Sequence, residues 1–436
     1  MIKITILGAG STVFAKNVLG DCILTPELGE LDIALYDIDA ERLNDSFLML
    51  SNINKNYNGK ANIKTYLDRK EALRGADFIV NAVQIGGYDP CTITDFEIPK
   101  KYGLRQTIAD TLGIGGIFRT LRTIPVLEDF AKDINEVCPN ALFINYSNPM
   151  AMLTGYTQRY LHKNTVGLCH SVQVCAKELL KTLDMSDLYE GCKWEIAGIN
   201  HQAWLLSIKD KFGRDLYPEI KRRSLSGDYT EQMQWDLVRH DMMHRFGYYI
   251  TESSEHTSEY TPYYIKEKYP ELIKKYNIPL DEYPRRCIKQ INGWKEMRAT
   301  VTSKNVEHEK SREFACSIIN AVTNNTPYII HGNVLNKGFI TNLPSNACVE
   351  VKCLVDGTGI NPCYVGDLPE QCASLNRTNI NVQNMTIEAC RQRKKDLVYM
   401  AAYLDPHTSS ELSMDDIKNL CDDLFVAHKG WIPEYK

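Results

Sequence analysis

The chain has 436 residues, 44% of them apolar and 24% charged, enough to bury a large core as two closely packed lobes and unlike a disordered or fibrous composition. Its 50 Lys and Arg against 55 Asp and Glu leave a formal charge of −5, and no basic run is present to follow a phosphate backbone, which excludes nucleic acid as an expected partner. No apolar stretch reaches the roughly 20 residues that cross a bilayer, and Met1 leads into Ile2, Lys3, Ile4, Thr5, Ile6 rather than into a signal peptide, so no membrane is expected and a cytoplasmic location is.

Ile2 to Leu7 is a β-branched run that predicts a strand, followed by Gly8, Ala9, Gly10, Ser11 and a helix starting over Thr12 to Leu19. A second strand, Asp32 to Tyr36, ends in Asp37, Ile38, Asp39. That order describes a dinucleotide-binding unit. Glycines let the backbone approach a pyrophosphate, the helix N-terminus favours its charge, and the acid holds the adenosine ribose. NAD is the expected cofactor, at Gly8, Gly10, Ser11 and Asp37. The match is imperfect, because Val13 stands at the third glycine position and the acid follows after roughly 27 residues instead of roughly 20.

Ala76 to Val83 predicts a strand running into Gln84, Ile85, Gly86, Gly87, with Gly86 a further cofactor contact. Asp110 to Gly116 is a glycine-rich loop ahead of a helix containing Arg119 and Arg122; it brings backbone N–H groups and a carboxylate near a nicotinamide, or is only a tight loop. Ala141 to Asn145 predicts a strand leading to Tyr146, Ser147, Asn148, Pro149, and Thr165 to Leu168 a short one that delivers Cys169. Strand ends carrying glycine and polar residues are where open α/β sheets place ligands. From Trp194 the pattern changes. Trp194 to Gly198 and Ala203 to Ile208 read as paired strands around Ile199, Asn200, His201, Gln202, Asp228 to Phe246 as a helix, and Thr326 to Leu368 as antiparallel sheet before C-terminal helices. The fold class is therefore α/β, with a Rossmann-type NAD-binding domain over residues 1–193 and a substrate and oligomerisation domain over 194–436. The two lobes are expected to share one continuous interface.

Cys169 and His201 each follow an apolar strand-like segment, and a thiolate with a neutral imidazole can ligate a metal while leaving positions open for substrate. Their spacing does not by itself force them together. His240 and His244, four apart on a helix, share a face but lack the glutamate of an HExxH zinc site, and read better as a solvated or interface face. Glu252, Glu255, His256 and Glu259 form a polar cluster ahead of Tyr260, Tyr263 and Tyr264, half of which read equally as satisfied surface groups. A paired-carboxylate glycosidase site cannot be located among 55 acids, and no GxSxG turn supports a serine hydrolase. The 14 cysteines contain no CxxC pair, so most are expected to be small buried apolar residues in a reducing compartment.

The GAGS turn, SNP at 147–149, GLCHSV at 167–172, GINH at 198–201 and SEHTSEY at 254–260 together resemble glycoside hydrolase family 4, over essentially the whole chain and with wording most similar to its bacterial α-galactosidase (melibiase) members. The resemblance implies a lactate or malate dehydrogenase-like architecture, NAD, a divalent metal that is commonly manganese, and hydrolysis by redox-assisted elimination. In that chemistry C3 of the sugar is oxidised, C2 is deprotonated, the glycosidic oxygen leaves, water adds and the hydride returns. By resemblance Cys169 and His201 are the metal ligands and Asn148 contacts substrate. Tyr260 is the C2 base, with Tyr263 and Tyr264 as alternatives, and Asp110 orients or assists it. His170 stands where other members carry an acidic Asp, and is taken as the acid; Arg285, with Arg286, is a candidate for the sugar hydroxyls by position. Manganese rests on the resemblance, since thiolate ligation alone favours softer ions. The expected function is hydrolysis of terminal α-galactosides by a homo-oligomer whose partner is a small sugar. Competing readings are an α-galacturonidase or 6-phospho-glycosidase of the same family, a 2-hydroxy acid dehydrogenase, and an NAD-binding regulator without turnover.

Overall fold

The computed structural model describes residues 1–57 and 59–436. Its strands, β1 (Ile2–Leu7), β2 (Leu31–Tyr36), β3 (Ala61–Tyr66), β4 (Phe78–Asn81), β5 (Leu142–Asn145), β6 (Thr165–Leu168), β7 (Lys193–Ile199), β8 (Gln202–Lys209), β9 (Tyr249–Ile250), β10 (Tyr328–Leu335), β11 (Cys348–Asp356) and β12 (Gly359–Pro362), form one sheet. Along it the order is β3-β2-β1-β4-β5-β6-β10-β11-β7-β8-β9, with β12 beside β11. The first six are parallel, in the 3-2-1-4-5-6 order of a dinucleotide-binding domain. The expected α/β class and Rossmann-type half are therefore present.

Parallel strands covered on both faces are near-continuously apolar, and β4, β5 and β6 are buried at every position. Period-two alternation divides their side chains between two cores. Ile4, Ile6, Val80 and Ile144 face one layer with the helix Thr12–Ile23, whereas Leu7, Ile79 and Phe143 face the helix Gly113–Val137. β3 is the edge strand, and its mixed sequence ANIKTY alternates intermediate with exposed residues, which is why it carries no apolar signal in the sequence.

The parallel and antiparallel parts are joined through the sheet itself. Gly332 and Asn333 of β10 pair antiparallel with Leu168 and Gly167 of β6, so the antiparallel half continues the parallel one edge to edge. Three elements depart from expectation, the first being the loop read over Asp110 to Gly116, of which Gly113 to Gly116 already belong to the helix Gly113–Val137. The strand read over Ala76 to Val83 is confined to Phe78–Asn81, because beyond it Ala82 donates to the carbonyl of Leu7 and the chain turns across the end of β1. The helix read over Asp228 to Phe246 breaks at Asp236, which leaves helical geometry while its carboxylate accepts from Arg239 and Tyr249; Glu231–Trp235 is a separate turn and Leu237–Phe246 the helix. All 14 cysteines are free and most are buried, and no helix among the described residues is long and apolar enough to cross a membrane.

Candidate active site

At the carboxyl end of β1 the chain turns through Gly8 at φ +89°. A Cβ at Gly8 would lie 3.0 Å from the Ala82 carbonyl, and one at Gly10 would lie 2.7 Å from Asp37 Oδ2, so both positions are closed to side chains. The Gly10 N–H donates to Asp37 Oδ2 at 2.6 Å, which brings the end of β2 onto the turn. Ser11 precedes the helix Thr12–Ile23, whose own first turn holds no acid; a helix N-terminus facing a glycine turn suits an anion, and here the Asp37 carboxylate already occupies the Gly10 N–H. Gly86, at φ +80°, is forced by the Cys91 side chain and shapes the neighbouring crevice beyond β4, where the strand order reverses direction.

Buried polar groups fix the adjoining strand ends. Asn81 Nδ2 donates to Asn145 Oδ1 at 2.9 Å, and Ser147 Oγ donates to the Val83 carbonyl at 2.8 Å. They hold the Ser147–Pro149 loop so that Asn148 Nδ2 donates to Asp110 Oδ2 at 3.0 Å. Asp110 is itself placed by Glu259, which accepts the N–H groups of Thr107, Ile108 and Ala109. On its other side Asp110 Oδ1 lies 3.7 Å from His256 Nε2. Burial alone would raise the Asp110 carboxyl, but His256 and Arg119 outweigh it and hold the group well below the usual carboxylate range. Asp110 and Glu252 in turn overcome the burial of His256 and lift it to about 9.

Cys169, after β6, and His201, in the turn between β7 and β8, converge with Glu252, just past β9; one ligand atom from each lies within 4.8 Å of the others. Cys169 Sγ is 3.7 Å and His201 Nε2 3.3 Å from Glu252 Oε2. Burial lowers the His201 imidazole to about 4, leaving it neutral, and burial together with Glu252 and Glu350 pushes the Cys169 thiol up. His201 and Glu252 both sit at positive φ, 63° and 70°, a backbone strain of order 1–3 kcal/mol each for non-glycine residues that concentrates at functional sites. Tyr260 is 2% exposed and its hydroxyl has no partner among the described residues; its ring centroid is 6.3 Å from that of His201.

The family 4 glycosyl hydrolase profile matches residues 3–185, and the profile of the family's C-terminal domain matches residues 196–408. The chain belongs to glycosyl hydrolase family 4. An α-galactosidase from Bacillus subtilis (strain 168) is 61% identical to it over 437 residues, covering 100% of both chains. A solved 6-phospho-α-glucosidase from gut microorganisms, in complex with NAD and Mn2+, superposes with a TM-score of 0.83 at 22% identity over all of both chains. Malate dehydrogenase from Plasmodium falciparum, in complex with NADH, shares the fold more distantly, with a TM-score of 0.51 at 16% identity over 91% of this chain and all of that one, in keeping with the dehydrogenase-like architecture expected.

Within this family 4 site the structure brings together Cys169, His201, Asp110, Asn148 and Tyr260, and gathers Gly8, Gly10, Ser11 and Asp37 at the neighbouring turn. Other candidates take partners outside that cluster. His170 is half-exposed on its own side of the helix His170–Thr182, with Nε2 2.6 Å from Glu313 Oε2 and its ring beside Tyr146. Tyr264 donates to Asp241 and Tyr263 is 46% exposed, so of the three tyrosines Tyr260 alone joins the cluster. Arg285 bonds the Leu280 carbonyl and Glu282, and Arg286 reaches Glu255. His240 and His244 both contact Ser224 Oγ, at 2.8 and 3.0 Å, a helix-to-helix clamp.

None of Glu252, Glu255, His256 and Glu259 is an exposed surface group, contrary to the reading of half of them as such. Glu252 and His256 enter the site, Glu259 anchors the Asp110 loop and Glu255 pairs with Arg286. Sequence reasoning gave no role to Tyr283, whose hydroxyl accepts from Arg119 and donates to Gln84 Oε1, nor to Glu350, which accepts from Asn333 and Asn200 behind His201. Neither has a local motif, since both meet their partners only through the fold.

Proposed function

We propose that this chain is an α-galactosidase that hydrolyses terminal α-galactosides such as melibiose and raffinose-type sugars, with NAD and a divalent cation, manganese first. The observation that carries the reading is 61% identity over full length to the Bacillus subtilis α-galactosidase, supported by the convergence of Cys169 and His201. The residues fit both cofactors. The Ala82 carbonyl bars a side chain at Gly8, which leaves the turn's backbone bare for a pyrophosphate to approach, and Gly8, Gly10, Ser11, Asp37 and Gly86 are the residues that would hold NAD. A thiol, a neutral buried imidazole and a carboxylate whose donor atoms lie within 4.8 Å of one another form a donor set suited to a divalent cation, and Cys169 and His201 would hold it.

When bound, NAD supplies reversible oxidation at a sugar carbinol carbon and the cation supplies Lewis-acid stabilisation of negative charge on sugar oxygens. The chain's own residues do the rest. Asn148 hydrogen-bonds the sugar while staying fixed by Asp110. The Tyr260 hydroxyl takes the C2 proton; burial and the nearby carboxylates raise its pKa well above the ordinary range, so it acts only where a positive charge offsets them. Asp110, ionised between His256 and Asn148, orients that proton transfer. His170 protonates the departing oxygen, and its hydrogen bond to Glu313 favours the protonated form by raising its pKa. Arg285, bonded to the Leu280 carbonyl and Glu282, is assigned to the sugar hydroxyls by its position in the chain.

The domain division proposed is 1–193 and 194–436, supported by the break between the two family matches. The enzyme acts in the cytoplasm as a homo-oligomer. Free cysteines throughout suit a reducing compartment, and the exposed Ile288 and Ile291 on the helix Glu282–Val301 suit burial against another copy.

The test is hydrolysis of p-nitrophenyl α-galactoside under reducing conditions, with and without NAD and with and without Mn2+. Turnover that needs both is expected. Turnover only on a galacturonide or a 6-phosphosugar would move the substrate, steady NADH release would indicate a dehydrogenase, and turnover by cofactor-free protein would contradict the mechanism.

A further inference from the structure

We infer that Glu252 is a third protein ligand for the divalent cation, completing a sulfur, nitrogen and oxygen donor set with Cys169 and His201; the inference rests on the metal-dependent reading above. Three independent features point to it. First, Glu252 Oε2 is the atom that both other donors face, 3.7 Å from Cys169 Sγ and 3.3 Å from His201 Nε2. Second, the sheet builds this approach. β9 pairs with β8 at Trp204–Ile250, Thr251 N donates to the Ala203 carbonyl and Ala203 N donates to Thr251 Oγ1, so the next step along that register sets Glu252 beside Gln202, adjacent to His201. Third, the chain accepts a left-handed backbone at both His201 and Glu252 to aim these side chains at one point, where Asn, Asp or Gly would relieve the strain.

The chemistry of the set explains how a thiolate site can take manganese. Thiolate and imidazole alone favour softer ions, while an added carboxylate oxygen suits Mn2+. Three protein donors still leave positions for sugar oxygens. The second carboxylate oxygen, Oε1, lies 3.8 Å from His256 Nδ1, and a neighbour of this kind holds a ligating carboxylate in place.

The test is equilibrium binding of Mn2+ to the NAD-loaded, sugar-free protein, read by the EPR signal of unbound Mn2+, together with thermal midpoints with and without Mn2+. It compares wild type with Glu252→Gln and Glu252→Asn. The expected result is a loss of Mn2+ affinity of about tenfold or more in both variants, with the Mn2+-induced rise in midpoint lost. The metal-free midpoint of each variant is the baseline from which its Mn2+-induced rise is read. If Glu252→Gln does not fold, Glu252→Asn carries the comparison. Wild type binding Mn2+ stoichiometrically while the variants bind within twofold of it would overturn the inference and leave the metal-dependent reading standing. Wild type binding neither Mn2+ nor another divalent cation would overturn both.

Discussion

His170 is the residue whose proposed task departs most from its neighbours, because it takes its partner, Glu313, outside the Asp110, His256 and Tyr260 cluster. A group that protonates a leaving oxygen matters in proportion to how poor that leaving group is. His170→Asn is therefore expected to cut kcat/KM on melibiose by about a hundredfold, within the usual range of general-acid effects, and to spare p-nitrophenyl α-galactoside, whose phenolate leaves unaided. Equal losses on the two substrates in parallel assays would assign His170 to binding or structure instead. The sign of the pH effect follows from its partner. The Glu313 hydrogen bond raises the His170 pKa against the opposing effect of burial, so the protonated form persists below that raised value and is lost as pH rises through it. Glu313→Gln should move the alkaline limb of the melibiose pH profile to lower pH, and an unmoved limb would detach His170 from it.

The elements that carry the site are the glycine turn after β1 and the strand pair behind His201. A Cβ at Gly10 would meet the Asp37 carboxylate at 2.7 Å and displace it from the Gly10 N–H. Gly10→Ala is expected to weaken NAD binding by about tenfold or more, because the added Cβ crowds the turn where the backbone would meet the pyrophosphate and shifts the Asp37 carboxylate that would hold the ribose, as read by quenching of protein fluorescence; unchanged affinity would remove this turn from the cofactor site. Behind His201, burial raises the Glu350 carboxyl to about 8, despite bonds from Asn333 and Asn200. Unfolded Glu titrates near 4.3, so between there and about 8 the folded chain holds one proton more, and stability falls as pH rises across that window. Glu350→Gln cannot ionise and should show a smaller drop in thermal midpoint from pH 5 to pH 8 than wild type. An identical drop would mean that Glu350 is ionised in the folded protein.

For the whole molecule, the decisive feature is that β6 pairs with β10. A 1–193 fragment would expose the edge of β6, including Gly167 and Leu168, and such an edge is a template for aggregation. The fragment is expected to be insoluble or to bind NAD poorly, and a soluble NAD-binding fragment in gel filtration would contradict this. Much of the architecture was legible because parallel strands are apolar runs with glycine at their carboxyl ends. The edge strand β3 was not, since half of it faces water, and neither was the joining of both halves into one sheet, which depends on contacts remote in sequence. Cys169, His201 and Tyr260 could be named from wording that resembles a family. Their convergence on Glu252 could not, because the β8–β9 register that sets it is specified by only two paired residues. The difference between His170 beside Glu313 and Tyr260 inside the cluster is likewise a matter of helix orientation, invisible in spacing. Hydrolysis of melibiose in D2O with NAD and Mn2+, followed by NMR of the galactose released, reads the fate of the C2 proton. Removal and return of the C2 proton predicts deuterium at C2 of the product. Galactose formed at full rate with hydrogen alone at C2 would contradict the account.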